Sequence, residues 1–200
     1  MRHTASITAL CAIAAFAAGC STTPASHFYT LSRSQSPAAA PDSKTANLSV
    51  VVGPVSIPAI VDMPQIVVST GPNQVAIDEY NRWASPLQNN ISRVVAENLV
   101  AMLGTPRVSL FQQSLNADAD YRVAIEVQSF ESAPGDAATL NVVWIVRRIK
   151  DGTREIGRTA VREPAADKGY DALAAAHSRA LARMSREVAD AIRALQRDAP

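Results

Sequence analysis

Hydrophobic positions recur every three to four residues in two long segments of the chain, which predicts two amphipathic helices. The first helix is predicted over 85–103, with Ser85 as its N-cap and Gln88 completing a capping box. Gly104 follows the last apolar position, as is typical of a residue just past a helix end. The second helix is predicted over 170–195, where leucine, alanine and methionine side chains share one face.

Runs of β-branched residues between turn signals predict the strands. In chain order they lie at 27–31, 48–57, 66–70, 74–78, 107–111, 121–127, 140–149 and 154–163. Turn residues join two pairs of them into hairpins, at Gly71-Pro72-Asn73 and at Asp151-Gly152. The order of strands, helix, strands and helix predicts an α+β fold: a mostly antiparallel sheet with two amphipathic helices packed on one face.

The N-terminus has the three parts of a secretory signal peptide. Arg2 and His3 precede an uncharged, alanine-rich stretch over 4–19 that ends in small residues, and Cys20 follows it. This arrangement resembles the lipobox of bacterial lipoproteins, in which the cysteine is acylated and the chain is cut just before it. We therefore predict a lipoprotein signal peptide over 1–19 and lipidation at Cys20.

Two alternatives to a lipid anchor are open at this point. An uncleaved membrane-spanning anchor needs about 20 apolar residues, and the stretch over 4–19 is shorter and rich in weakly hydrophobic alanine. An ordinary cleaved signal would leave Cys20 as a single unpaired cysteine in the exported chain. Acylation gives that cysteine a use, so the lipoprotein is the hypothesis we favour.

Composition divides the exported chain into an acylated N-terminal tether and one folded unit. Residues 20–47 are rich in proline, serine and alanine, a composition that buries little surface. Residues 48–200 have the patterning of a single α+β domain. The whole chain has 19 basic and 18 acidic side chains, and Arg2 leaves with the signal peptide, so 18 of each remain. A net charge near zero gives no indication of a nucleic-acid partner.

No residue pattern indicates catalysis. The sequence lacks the glycine-rich phosphate loops and the Gly-x-Ser-x-Gly motif of hydrolases. His177 lies in the second predicted helix with no histidine or glutamate at metal-binding spacing, so we interpret it as a residue of the helix surface. We expect neither enzyme activity nor a bound metal or cofactor.

Three features are more typical of a binding or assembly protein. The first is an apolar loop over 57–64, punctuated by two prolines, which predicts either a surface contact patch or a crossover tucked into the core. Its apolar side chains are those of Ile57, Ile60, Val61 and Met63. The second is Trp83, which either anchors the first helix against the sheet or is an exposed interface aromatic.

The third feature is a basic ribbon on the last two predicted strands. Its members are Arg147, Arg148, Lys150, Arg154, Arg158 and Arg162. Residues 154, 158 and 162 share one face of their strand, because successive side chains alternate. The ribbon is either an ordinary solvated face with glutamates nearby, or a contact with anionic lipid headgroups or an acidic partner.

Several short segments behind the lipobox together resemble a known family. They are Phe28-Tyr29-Thr30-Leu31, Val52-Gly53-Pro54-Val55 with Ile57-Pro58, Met63-Pro64-Gln65-Ile66-Val67-Val68, Arg82-Trp83-Ala84-Ser85-Pro86-Leu87 and Leu103-Gly104. Over nearly its whole exported length the chain resembles the PqiC-like (paraquat-inducible protein C) family of ABC-type transport auxiliary lipoproteins. It departs from that family at Ser85, where acidic residues are common, and at Met63, where a basic residue is common.

The resemblance implies a lipid-anchored protein on the periplasmic face of the outer membrane. Its implied partners are an ABC permease complex and an MCE-domain protein that moves phospholipids between membranes, and related members form homo-oligomeric rings. Ser21, which follows Cys20, fits delivery to the outer membrane. A second hypothesis is an activator or assembly factor of another envelope machine, such as peptidoglycan synthesis or secretion. A third, a soluble lipid carrier, requires an enclosed apolar cavity of roughly several hundred Å³.

Overall fold

The structure, a computed structural model, describes residues 24–33, 35, 45–111 and 119–198. Two helices and eight strands make up this part of the chain, which confirms the predicted α+β class. The strands are β1 (His27–Tyr29), β2 (Val50–Ser56), β3 (Gln65–Gly71), β4 (Gln74–Trp83), β5 (Val108–Leu110), β6 (Tyr121–Ala133), β7 (Ala137–Arg148) and β8 (Arg154–Pro164). The helices are α1 (Leu87–Leu103) and α2 (Tyr170–Arg197), and a 3-10 turn lies at Ala59–Val61.

The larger sheet contains five strands in the order β5-β2-β6-β7-β8. Strands β6, β7 and β8 form an antiparallel meander with long pairings, as the turn signals between them predict. Strand β2 runs parallel to both of its neighbours, β5 and β6. Helix α1 carries the chain back along the molecule before β5, which is the kind of crossover that a parallel pairing requires.

The hairpin of β3 and β4 belongs to a second, three-stranded sheet ordered β1-β4-β3. The strands therefore divide between two mixed sheets, where the sequence pattern predicts one. The physical reason is that β5 and β6 occupy both edges of β2, so β3 has no edge there to pair with. The strand predicted at 27–31 is present as β1, and Leu31 just beyond it is buried in the core.

Both helices cover the same face of the five-stranded sheet, as predicted. Helix α1 packs on β2 and β5, and helix α2 packs on β6, β7 and β8. Val52, Val123 and Val146 are partners across three strands and are buried beneath the helices. On β8, Ile156 points away from the helices and is exposed. Neither described helix is long and apolar enough to span a membrane.

Helix α1 begins later than predicted and without a capping box. Its N-cap is Pro86, with φ −48° and ψ 132°, and no side chain caps its first amides. Ser85 is exposed and lies one residue too early for its hydroxyl to serve as the cap, and Gln88 donates a hydrogen bond to the carbonyl of Val55 instead. The other end is as predicted, because Gly104 ends the helix with a φ of 67°.

Candidate functional site

The apolar loop over 57–64 is divided between surface and core. Ile60 is 54% exposed at the middle of the 3-10 turn, whereas Val61 beside it is 6% exposed and belongs to the core. Ile57 and Met63 are half-buried and pack against the core from outside. Each of the two interpretations of this loop therefore describes some of its side chains, and only Ile60 presents a large apolar surface to solvent.

A groove of about 590 Å³ lies beside Ile60. It separates the 3-10 turn and the β3–β4 hairpin from the ends of β6 and β7. Its lining includes Pro58, Ile60, Val67, Val75, Phe130 and Arg162. The side chains of Gln128 and Glu131 also line it, so the groove is a mixed surface and differs from the closed apolar cavity that a lipid carrier needs.

The hairpin adds a free strand edge next to this groove. Strand β1 pairs only with 81–83, so the stretch of β4 from Gln74 to Tyr80 has one described strand neighbour, β3. Val75 and Ile77 are exposed there, on the same face of β4. We call Ile60, Val75 and Ile77 the hairpin surface. An unpaired edge with exposed apolar side chains is a ready template for pairing with another chain.

Trp83 anchors the packing at the start of α1. It is 6% exposed, and its ring meets Phe130 of β6 edge to face, with centroids 6.1 Å apart. Of the two alternatives for Trp83, the structure has the packing anchor. Its contact with Phe130 ties the small sheet to the large one. Trp83 offers no exposed aromatic surface for a partner.

Two tyrosines fasten the small sheet to the first turn of α2. The Tyr170 hydroxyl donates to Asp78 of β4 at 2.7 Å, and the Tyr29 hydroxyl donates to Asn81 at 2.8 Å. The two phenol rings lie 5.8 Å apart. Burial and the hydrogen bond to Asp78 raise the pKa of Tyr170 far above its usual range, so this phenol stays protonated and structural.

The basic ribbon forms on the sheet face that points away from the helices. Arg147 and Arg154 are direct partners across β7 and β8, and Arg158 is opposite Val143. The prediction that Arg148 belongs to the ribbon is wrong, because its side chain points to the helix side and is buried. There it binds Asp151 and donates to the carbonyl of Leu195 at the end of α2, at 2.5 Å.

Sequence reasoning missed one member of the ribbon, Arg122. The register of β6 and β7 places Arg122 directly opposite Arg147. The strict alternation of the strand at 121–127 already put Arg122 on the face opposite the apolar side chains. What the sequence could not supply was the pairing of β6 with β7 in this register.

The interpretation of His177 as a helix-surface residue is wrong. Its side chain is fully buried between α2 and β6, where it stacks on Phe130 and shares a 2.8 Å hydrogen bond between Nε2 and the Ser132 hydroxyl. The apolar face of α2 is broad enough to include it. Among the described residues no group of three or more histidine, cysteine or acidic side chains could hold a metal ion. Cys20 lies outside the described residues.

A family model described as ABC-type transport auxiliary lipoprotein component matches residues 29–189, which confirms the family resemblance. The description of that family is of an auxiliary component of a transport system. A crystal structure described as that of an uncharacterized protein has a TM-score of 0.68 and 21% identity, over 84% of this chain and 99% of that one. The structure of protein XCC0632 from Xanthomonas campestris, of the DUF330 family, has a TM-score of 0.59 and 20% identity, over 85% and 98%. No curated protein matches the sequence.

Proposed function

The chain belongs to the family of ABC-type transport auxiliary lipoprotein components, and on that basis we propose that it docks an ABC/MCE-type phospholipid-trafficking system to the outer membrane. In this proposal the protein is a non-enzymatic component that holds other proteins in place. The observation that carries it is the family match over 29–189 directly behind a lipobox.

The proposed attachment is a lipid anchor on the periplasmic face of the outer membrane. The signal peptide over 1–19 is removed, Cys20 is acylated, and Ser21 directs the protein to the outer membrane. Acyl chains bury apolar methylenes in the bilayer and so anchor the protein without spanning it. The tether then connects the bilayer to the folded domain.

The hairpin surface is the proposed contact for assembly. Ile60 and Val75 are exposed apolar side chains that line one groove, and Ile77 is exposed on the same face of β4 as Val75. The adjoining edge of β4 has no second strand neighbour in the part of the chain that the structure describes. At protein interfaces, most of the binding energy comes from a few side chains that lose their contact with water in the complex. We assign this surface to contacts within a homo-oligomeric ring and with the MCE-domain protein.

Two measurements test the proposal. In cells, Cys20→Ala should release the protein from membrane fractions, and retention after a high-salt wash would contradict the anchor. A photo-crosslinking residue placed at Ile60 should yield adducts with a second copy or with the tagged MCE-domain protein. The matched control is the same residue at Arg186, which is exposed on the solvent side of α2. Equal crosslinking from both positions would contradict the assembly role of the hairpin surface.

A further inference from the structure

Three arginines lie side by side in one row across the open face of the five-stranded sheet. Arg122 on β6 is paired with Arg147 on β7, and Arg147 is paired with Arg154 on β8. Neighbouring strands are about 4.8 Å apart, so the three side chains start within about 10 Å of one another. Like charges directly opposite each other on neighbouring strands are unfavourable. We call Arg122, Arg147 and Arg154 the arginine row.

No described carboxylate neutralises this row. The ion pairs of the described residues involve other arginines, such as Arg148 with Asp151. The Arg122 guanidinium instead lies 5.0 Å from the centre of the Phe111 ring, a cation–π contact. The row therefore concentrates positive charge on one face of a chain whose net charge is only +1.

Apolar side chains lie along one side of the arginine row. The next row along the same face consists of Ala124, Ile145 and Ile156, and Ile156 is 57% exposed. Ile149, in the turn that follows β7, is 42% exposed beside Lys150. Exposed apolar residues among arginines and lysines are the composition of surfaces that insert into the headgroup region of a bilayer.

The shape of this face suits a flat partner. The depression at Ala124, Glu126, Val143 and Ile145 measures only about 200 Å³, against about 590 Å³ for the groove beside Ile60. A depression of this size fits a planar bilayer better than it fits an inserted peptide segment.

The tether keeps the folded domain close to the bilayer that holds the anchor. Seven Cα–Cα steps separate Cys20 from His27, the first residue of β1, and they reach at most about 25 Å. If Cys20 is acylated, as proposed above, the domain stays beside the membrane, where a charged face of its sheet can meet the headgroups.

We propose that the open face of the five-stranded sheet is a second membrane contact, in which the arginine row binds the headgroups of anionic phospholipids. The acyl chains hold the protein at the membrane, and this face fixes the orientation of the domain on it. Ile149 and Ile156 enter the headgroup region while the guanidinium groups bind phosphate oxygens.

The test measures vesicle binding by the acyl-free chain that starts at residue 21, which keeps every residue that the structure describes. The probes are vesicles of phosphatidylethanolamine with one quarter phosphatidylglycerol, and vesicles of phosphatidylcholine alone, in low salt. The chain should co-sediment with the first vesicles and not with the second. Arg122→Gln/Arg147→Gln/Arg154→Gln should weaken this binding by about 10-fold to 100-fold, because the variant loses three positive charges that are attracted to the anionic surface.

The matched control removes three exposed arginines from elsewhere, as Arg33→Gln/Arg186→Gln/Arg197→Gln, so both variants have the same net charge. The control should bind nearly as well as the unaltered chain, and both variants should keep its melting temperature. Ile156→Ser should weaken the binding that persists in high salt.

Equal loss of binding in the two triple variants, or no binding to anionic vesicles, would overturn the proposal. Retention on polyglutamate without vesicle binding would instead identify the row as a site for an acidic protein. Because the chain carries no lipid, these outcomes are independent of the Cys20 anchor.

Discussion

The imidazole of His177 lies flat on the ring of Phe130, with centroids 3.6 Å apart and planes inclined by 8°. Its Nε2 shares a hydrogen bond with the Ser132 hydroxyl, and its Nδ1 has no hydrogen-bond partner among the described residues. Complete burial lowers the pKa of His177 to about 3, because a protonated imidazole cannot be solvated there. His177 is therefore a neutral core residue at physiological pH.

The stability of the domain should fall in mild acid because of this histidine. Between the unfolded pKa of about 6.5 and the folded value, the unfolded chain binds a proton that the folded chain does not. Folding stability is thus fully present above pH 6.5 and decreases as the pH falls toward 3. From pH 7.5 to pH 5.0 the loss from His177 is about 2 kcal/mol.

Urea unfolding of the unaltered chain and of His177→Gln at both pH values measures this effect. The glutamine variant has a lower stability at pH 7.5 but should lose about 2 kcal/mol less on acidification, because its side chain does not titrate. Parallel pH profiles for the two proteins would show that His177 accepts its proton equally well in the folded state.

Gly157 is required by the packing of Trp144. The two residues are partners across β7 and β8, and a Cβ atom on residue 157 would lie 2.0 Å from Cζ2 of the indole. The indole is buried and donates to the Thr159 hydroxyl, so it has little freedom to move aside. Gly157→Ala should destabilise the domain by about 1–3 kcal/mol or more through overpacking.

The matched control for this change is Gly71→Ala at the end of β3. A Cβ atom there would meet Cβ of Gln74 at 3.7 Å, an ordinary van der Waals distance. The control should change the free energy of unfolding by no more than about 0.5 kcal/mol. Similar losses for both alanine variants in thermal melts would mean that the clash with Trp144 does not set the cost, because the lower entropy of the unfolded alanine chain favours folding at both positions.

Ser85 and Leu99, near the two ends of α1, should differ in how much they contribute to stability. Ser85 makes no capping hydrogen bond, so Ser85→Ala should stay within about 0.5 kcal/mol of the unaltered chain. Leu99 is fully buried between the helix and the sheet, so Leu99→Ala should cost about 2–5 kcal/mol. A melt in which Ser85→Ala costs about 1 kcal/mol would restore the capping box that the sequence pattern predicts.

Periodicity predicted most elements because each one buries a regular stripe of side chains. The strand face of Arg154 and Arg158 followed from alternation alone and is confirmed by their partners on β7. The division into two sheets could not be predicted, because it depends on which strands take the edges of β2. The burial of His177 likewise depends on β6. The register of this strand shifts after Val127, and the stretch beyond the shift brings Ser132 within hydrogen-bond distance of His177.

The candidate site was harder to predict than the fold, because a 3-10 turn places adjacent side chains on different sides. In such a turn Ile60 points to solvent while Val61 points to the core. The apolar loop has no periodicity that could separate the two residues in advance. Val75 and Ile77 complete the hairpin surface. Their sequence pattern predicts an ordinary hairpin, and the free edge of β4 beside them depends on where β1 pairs.

The two neighbours in this turn separate folding from assembly. Val61→Ser should lower the melting temperature clearly, since a buried valine side chain is worth about 1.5–3 kcal/mol. Ile60→Ser removes a largely exposed side chain, so the melting temperature should hardly change. The same Ile60→Ser variant should weaken self-association in sedimentation velocity, because an apolar anchor that is covered in the assembly is lost. The opposite pattern, with a lowered melting temperature and unchanged association for Ile60→Ser, would remove the hairpin surface as the assembly contact.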